Sequence, residues 1–307
     1  MLSFNGIFFN DVTKLFFTIS SHNLHRRFKW RGYPLSMLLI TALTSSLKTL
    51  ARGEPESLTA ELQKPASGHF LSPLLMAIVG GCAAYGFAIG LWRAPLQGLF
   101  VAVKMPLLIF MTLTVNGLLN GMLGLLLGSG LSFRQTIQAC LMSFAIFSLI
   151  VGSLSPIAIA MVLDAPSPNA PEAAEWYRAI LLTHTAIIAF AGIVANHKLL
   201  RLLQVFSGSA SAGWRTLVAW LAGNLFVGAQ LSYNLRPFFG NPHLPIEFLR
   251  SQPFQGSFYE AVWSLTVASL PRDLGATVLS WGIIIALSVA IFLIFRAIIE
   301  RGHSSSR

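Results

Sequence analysis

Charge is what this chain has least of. Only 10% of its 307 residues are Asp, Glu, Lys or Arg, against 54% apolar residues and a mean hydropathy of +0.68. Soluble domains carry about a quarter charged residues, so the composition points to the membrane as its solvent. Acidic side chains are the scarcer sign, 11 against 21 basic. Cysteine is nearly absent: Cys82 and Cys140 both fall inside apolar runs, where a thiol behaves as a small hydrophobe, and their spacing gives neither a disulfide framework nor a zinc-ligand set. Signatures of catalysis are missing too. There is no paired acidic motif of the membrane prenyl- or phospho-alcohol transferase kind, and no phosphate-cradling glycine loop ahead of a Lys-Ser/Thr pair. Leu127-Gly-Ser-Gly130 comes nearest to the Gly-x-Ser-Gly of rhomboid-type proteases, with its first glycine one place out, and reads as a turn that ends a span. No enzyme activity, cofactor or metal is expected.

What the chain does have is apolar length. Six runs stand out, at residues 73–92, 99–119, 137–162, 179–196, 216–235 and 275–296. Each approaches the roughly 20 residues that cross a hydrocarbon core, so the expected fold is an all-α integral membrane protein of about six transmembrane helices plus amino-terminal interfacial amphipathic helices. Three regions follow: a cytoplasmic or interfacial stretch 1–70, a membrane domain 71–297, and a short basic tail 298–307. The second run leads into a Leu/Gly-rich stretch, 118–127, which allows a long, kinked or re-entrant helix with Gly117, Gly121 and Gly124 as its weak points.

The basic residues give an orientation. With the amino terminus inside, fifteen of the 21 fall on the cytoplasmic side, and the opposite side holds Arg93, Lys104, Arg178, Arg236, Arg250 and Arg272 together with Asp164, Glu172 and Glu175. That bias fits six spans with both termini cytoplasmic. The net charge of +10 then reads as an orientation signal and an attraction to anionic headgroups rather than a nucleic-acid footprint. At the amino terminus, Phe8, Val12, Leu15, Phe16 and Ile19 recur at helical spacing ahead of His25-Arg-Arg-Phe-Lys-Trp-Arg31, as in a helix lying in the interface or packed on the membrane domain. Residues 35–43 suit a helix at or dipping into that interface, residues 52–68 a polar linker, and residues 199–206 a second interfacial helix.

Polar side chains within spans mark helix contacts or pathways, because facing lipid costs each a few kcal/mol. The candidates are Lys104, Asn116, Asn120, His184, Asn224 and Gln230. Lys104, near a span end, suits snorkelling to headgroups, with a buried ion pair or substrate contact as the alternative. His184 has no second His at helical spacing and no carboxylate in its span, which suits an interhelical hydrogen bond better than a metal or proton relay. Asn116 and Asn120 share one helical face, for packing or for a cavity.

The stretch between the fifth and sixth runs, within the loop 236–273, is dense in Pro, aromatic and Arg residues, too proline-rich for a regular helix and too apolar for a disordered tether. Gln230-Leu-x3-Leu-Arg-Pro-Phe-Phe-Gly-x-Pro242, Phe248-Leu-Arg250 and Gly256-Ser-Phe-Tyr-Glu260, with Lys104-Met-Pro-Leu-Leu, Gly128-x-Gly-Leu-Ser-Phe-Arg-Gln135 and Ser155-Pro156 upstream, resemble a group of bacterial multi-pass, Yip1-like membrane proteins. The resemblance spans most of residues 70–265. It implies a bacterial cytoplasmic (inner) membrane location and brings no activity with it.

In this loop Arg236 and Arg250 are placed to cap backbone carbonyls, pair with Glu247 or Glu260, or clamp a phosphate. Positive and negative charges balance between Arg236 and Asp273, which favours the pairing reading. Pro237, Gly240 and Pro242 would fix the turn, and Phe238, Phe239 and Trp263 would anchor it at the interface. The expected role is therefore non-enzymatic: a membrane-embedded assembly, scaffold or trafficking-type subunit that binds protein or lipid partners, or pairs with its own copies. A transporter or channel for a small solute or ion is the alternative, set against the lack of a clear internal repeat.

Overall fold

A computed structural model describes residues 45, 48–50, 52–64, 68–240, 245–269 and 282. The described residues form helices and connecting turns with no strand: α1 (Pro55–Gln63), α2 (Gly68–Leu91), α3 (Pro95–Leu126), α4 (Phe133–Ser153), α5 (Ser155–Leu163), α6 (Ala173–Ser207), α7 (Ala210–Asn234) and α8 (Phe258–Ser269). Four stretches are long and apolar enough to cross a bilayer: Phe70–Leu91, Pro95–Leu126, Phe133–Leu163 and Ala173–Ser207. The protein is thus all-helical and built for a membrane. The fifth apolar run is a helix as well, α7, in which Asn224, Gln230 and Asn234 dilute the hydropathy below that of the other four. The sixth run, the amphipathic amino-terminal segments before residue 45, and the carboxy-terminal tail lie outside the described residues.

Local chemistry sets the boundaries. Pro95 occupies the first turn of α3, where a missing N–H costs nothing. Ser132 and Gln135 form a reciprocal capping box at the start of α4, the Gln135 side chain accepting from the Ser132 N–H at 2.9 Å. Ser209 caps α7, and α6 ends on Gly208 at φ 62°. Between α3 and α4, Gly128 and Gly130 take φ of 75° and 73°, so the Leu127-Gly-Ser-Gly130 segment is the turn its sequence suggests.

Three boundaries depart from the sequence reading, and a fourth is decided among its alternatives. The third run is interrupted at Leu154, because Pro156 falls in the first turn of α5 and cannot donate to a continuing helix. Of the long, kinked and re-entrant alternatives for residues 118–127, the structure takes the long one: α3 runs unbroken to Leu126. Its glycines are contact points rather than weak points: an added Cβ would strike Ile137 from Gly117, Phe133 from Gly121, and Ser129 and Trp220 from Gly124. The stretch 199–206 is no separate interfacial helix but the last turns of α6, with Leu199, Leu202 and Leu203 buried. The polar linker of 52–68 contains α1, whose Leu58 and Leu62 are buried in the main core.

Helix α2 is the centre of the bundle, packed against α3, α4 and α5, while α7 lies against both α3 and α6. Small residues permit this. A Cβ on Gly81 would collide with the Ser148 backbone, and one on Gly152 would stand 2.7 Å from the Gly81 Cα, so α2 and α4 cross with their backbones nearly touching. Cys82 lies at the same crossing, its thiol 3.1 Å from the Ser148 hydroxyl. Connections alternate between two ends. One end holds the turns 127–132 and 207–209 and is covered by α1; the other holds the turn after α2, the segment after α5, and residues 235–240 and 245–257.

Candidate functional site

Within the expected loop, the described residues 235–240 and 245–257 are non-helical, as prolines such as Pro237 and Pro253 require. Its first residues do not drape over the surface. They turn back on the ends of α2, α3 and α6, through a cis peptide at Arg236-Pro237 and a left-handed Gly240 at φ 76°. A Cβ at Gly240 would press on the Arg93 side chain, so the position needs glycine for space as well as for φ.

Chain leaving a helix this way exposes carbonyls with no helical partner, and in a low-dielectric setting each needs a donor. Lys104 supplies one. Its Nζ donates to the Pro237 carbonyl at 2.7 Å, and Gln97 Nε2 donates to the carbonyls of Pro237 and Phe238, both at 3.1 Å. Lys104 is fully buried, so the snorkelling expectation is overturned: the ammonium points into the loop rather than to headgroups. Its charge rests against two aromatic faces, 5.2 Å from the Phe248 ring centre and 5.8 Å from that of Phe238. Phe100 supports the Phe248 ring edge-to-face at 5.5 Å.

The loop aromatics divide. Phe238 and Phe239 are half-buried against the core rather than anchoring at the interface, whereas Trp263 on α8 is exposed. Phe239 lies 5.7 Å from the His184 ring, and His184 Nδ1 shares a 2.8 Å hydrogen bond with the Tyr85 hydroxyl. That bond joins α6 to α2, the interhelical role expected of His184; its Nε2 is buried without a partner.

Asn116 and Asn120 both face α7. Asn116 Nδ2 donates to the Gly223 carbonyl at 3.1 Å, and Asn120 Nδ2 to Asn224 Oδ1 at 3.3 Å. Three of the expected polar residues are therefore one α3–α7 seam. Gln230 braces the far side of the loop: its Oε1 accepts from the Phe258 N–H at the start of α8, and its Nε2 donates to Asn234 Oδ1, both at 3.0 Å. Ser257 and Glu260 complete that start as a second capping pair.

Arg236 and Arg250 do not pair with Glu247 or Glu260. Neither has a carboxylate in ion-pair contact among the described residues. Both instead sit on Tyr233, with Cζ 3.5 Å from the ring centre for Arg236 and 4.8 Å for Arg250. Arg236 Nε donates to the Tyr233 carbonyl at 2.9 Å, and Arg250 Nη2 donates to the carbonyls of Pro253 and Gln255.

Sequence reasoning missed Gln97, Tyr85 and Tyr233. Gln97, two residues into a Pro-started helix, looks like an ordinary solvated first-turn residue; only Tyr233, three residues before Arg236, carries a local signal. Among the described residues no group of three His, Cys, Asp or Glu side chains is placed to hold a metal. Comparison of the chain with protein-family models, with curated proteins and with solved structures found no match.

Proposed function

We propose that this chain is a non-enzymatic subunit of the bacterial cytoplasmic membrane, with about six spans and both termini cytoplasmic, that works as an assembly or scaffold protein by holding protein or lipid partners. The Yip1-like resemblance belongs to the same proposal. One observation carries it: six polar side chains of the described helices each make a hydrogen bond that ties one part of the molecule to another. Lys104 and Gln97 bind the loop, Tyr85 binds His184, and Asn116 and Asn120 bind α7. A conducting pathway needs such groups aimed at a solute, whereas here each of the six spends one group on a neighbouring helix or on the loop. The rigidly fastened loop supplies a fixed surface for recognition.

The reading is tested by reconstitution and crosslinking. Purified protein in liposomes is expected to give no saturable solute flux or ion conductance above empty vesicles. Crosslinking in native membranes should give a discrete higher-mass species that survives mild detergent. Saturable flux abolished by Asn120→Leu or His184→Phe, with melting temperature retained, would replace the scaffold with a transporter.

A further inference from the structure

We infer that Arg236 and Arg250 form a binding site for a phosphate group at the loop end of the bundle, supplied by a lipid headgroup or by free phosphate. This deepens the scaffold reading and rests on it in one respect, that the loop lies at a bilayer surface.

The first ground is charge. Two guanidiniums are brought onto one tyrosine ring, and like charges that close repel unless an anion sits between or beside them. No carboxylate of the described chain does so. Glu260, the acid nearest in sequence after the loop, accepts instead from the Ser257 N–H. Among the described residues, the pairing of Arg236 and Arg250 with Glu247 and Glu260 is not made.

The second ground is unspent hydrogen-bonding capacity. Arg236 is exposed; it donates Nε to the Tyr233 carbonyl and turns its guanidinium to the Tyr233 side chain, leaving the outer N–H groups of the fork open to solvent. Arg250 is fastened through Nη2, yet its Nε is buried and unpartnered. A buried N–H of a charged group without an acceptor is costly, and an arriving anion would relieve it.

The third ground is preorganisation. Tyr233 is held at the end of α7, its hydroxyl closing on Gly256, where an added Cβ would stand 3.1 Å away. Gly256 itself is left-handed at φ 77°, and the Gln230 bond to Phe258 fixes the next residues. Little ordering remains to be paid on binding.

Phosphate fits better than a carboxylate. Its tetrahedral oxygens accept from two forks that need not be coplanar, whereas a carboxylate is filled by one fork. The setting suits a headgroup, since Phe254 and Trp263 nearby in the chain are 82% and 61% exposed, as aromatic residues at a lipid interface are.

The test uses the full chain, purified and delipidated in detergent, with native mass spectrometry after adding dioctanoyl-phosphatidylglycerol, dioctanoylglycerol or inorganic phosphate. The phosphatidylglycerol is expected to bind and the phosphate-free diglyceride not to. Arg236→Ala should weaken binding about tenfold, the loss of one charge-assisted fork. Arg250→Ala would free two loop carbonyls and endanger the fold, so Arg250→Lys serves as the second variant, keeping a donor and the charge but losing the fork. It should bind more weakly than the native chain at unchanged melting temperature. Competition by inorganic phosphate assigns the site to the free ion as well; lipid binding without competition assigns it to a headgroup. Equal binding of the two lipids, or equal affinity in native chain and Arg236→Ala, would overturn the site. Solute flux alongside intact phosphatidylglycerol binding would remove the scaffold reading and leave the site standing.

Discussion

The two ends of the bundle are closed by opposite means. At one end α1 lies across α6 and α4, satisfies its own backbone, and is held by Leu58 and Leu62 with a few bonds to its ends, such as Gln135 Nε2 to the Leu62 carbonyl at 3.2 Å and Lys198 Nζ to the Arg52 carbonyl at 2.6 Å. At the other end residues 235–240 are not helical, so the Pro237 and Phe238 carbonyls draw on Lys104 and Gln97 from within α3. A helical cover needs only apolar fit; an irregular one forces polar residues into the bundle it covers. The buried ammonium of Lys104 follows from that difference, since it donates to a carbonyl of the irregular cover.

The comparison breaks most visibly at the helical end. Removing both leucines, Leu58→Ala with Leu62→Ala, deletes the face that docks α1. Large-to-small changes at buried leucines cost about 2–5 kcal/mol each, and these two neighbours share contacts, so a combined loss of about 4 kcal/mol is expected. Hydrogen exchange should show residues 52–64 losing protection while residues 235–240 keep theirs. Loss at both ends would mean the ends are coupled, contrary to the separate closures.

The mirror experiment is Gln97→Leu with Lys104→Met, which leaves the Pro237 and Phe238 carbonyls without their donors. Each stranded acceptor costs about 1–3 kcal/mol, partly offset by no longer burying an ammonium, so a net loss of about 2 kcal/mol is expected. Protection should now fall at 235–240 and hold at 52–64. Lys104→Met alone should cost less, because Gln97 still reaches the Pro237 carbonyl. An equal loss from the single and double variants would show that the two donors do not share the load.

What the sequence disclosed follows the same division. Apolar runs announced the helices because a span must be uniformly greasy over its whole length, and prolines announced the irregular loop. Helix α1 was hidden because its two buried leucines sit among Glu54, Glu56, Glu61 and Lys64, so composition read as a linker while spacing did the packing. The burial of Lys104 was equally hidden, since its acceptor lies more than a hundred residues away and only the fold brings Pro237 to it. Asn116 and Asn120 were legible as one face of a helix, but the partner helix was not, as amide spacing carries no record of what stands opposite. The two arginines were found as residues, and their shared seat on Tyr233 was not, because charge counted along a chain ignores distance.

Smaller effects refine the picture along the helices between the ends. Asn120→Leu removes the bond to Asn224, and interhelical bonds of this kind are worth about 0.6 kcal/mol in membranes, so a drop near 1 kcal/mol or less is expected in a reversible unfolding assay. A loss of several kcal/mol would assign the α3–α7 seam a larger share of the fold than its hydrogen bonds explain.

The smallest expected change in stability is at Arg236. Its guanidinium is exposed, it has no carboxylate partner among the described residues, and its Nε bond to the Tyr233 carbonyl lies at a helix end. Exposed contacts of this kind contribute about 1 kcal/mol at most, so Arg236→Ala should melt within a degree or two of the native chain in lipid-free detergent. In the presence of phosphatidylglycerol the two should separate, because a ligand that binds only the folded native chain raises its stability by mass action. The same substitution thus gives opposite answers in the two solvents. A large loss without lipid would make Arg236 a strut of the loop, as Lys104 is, and the loop end would then be closed by charge throughout.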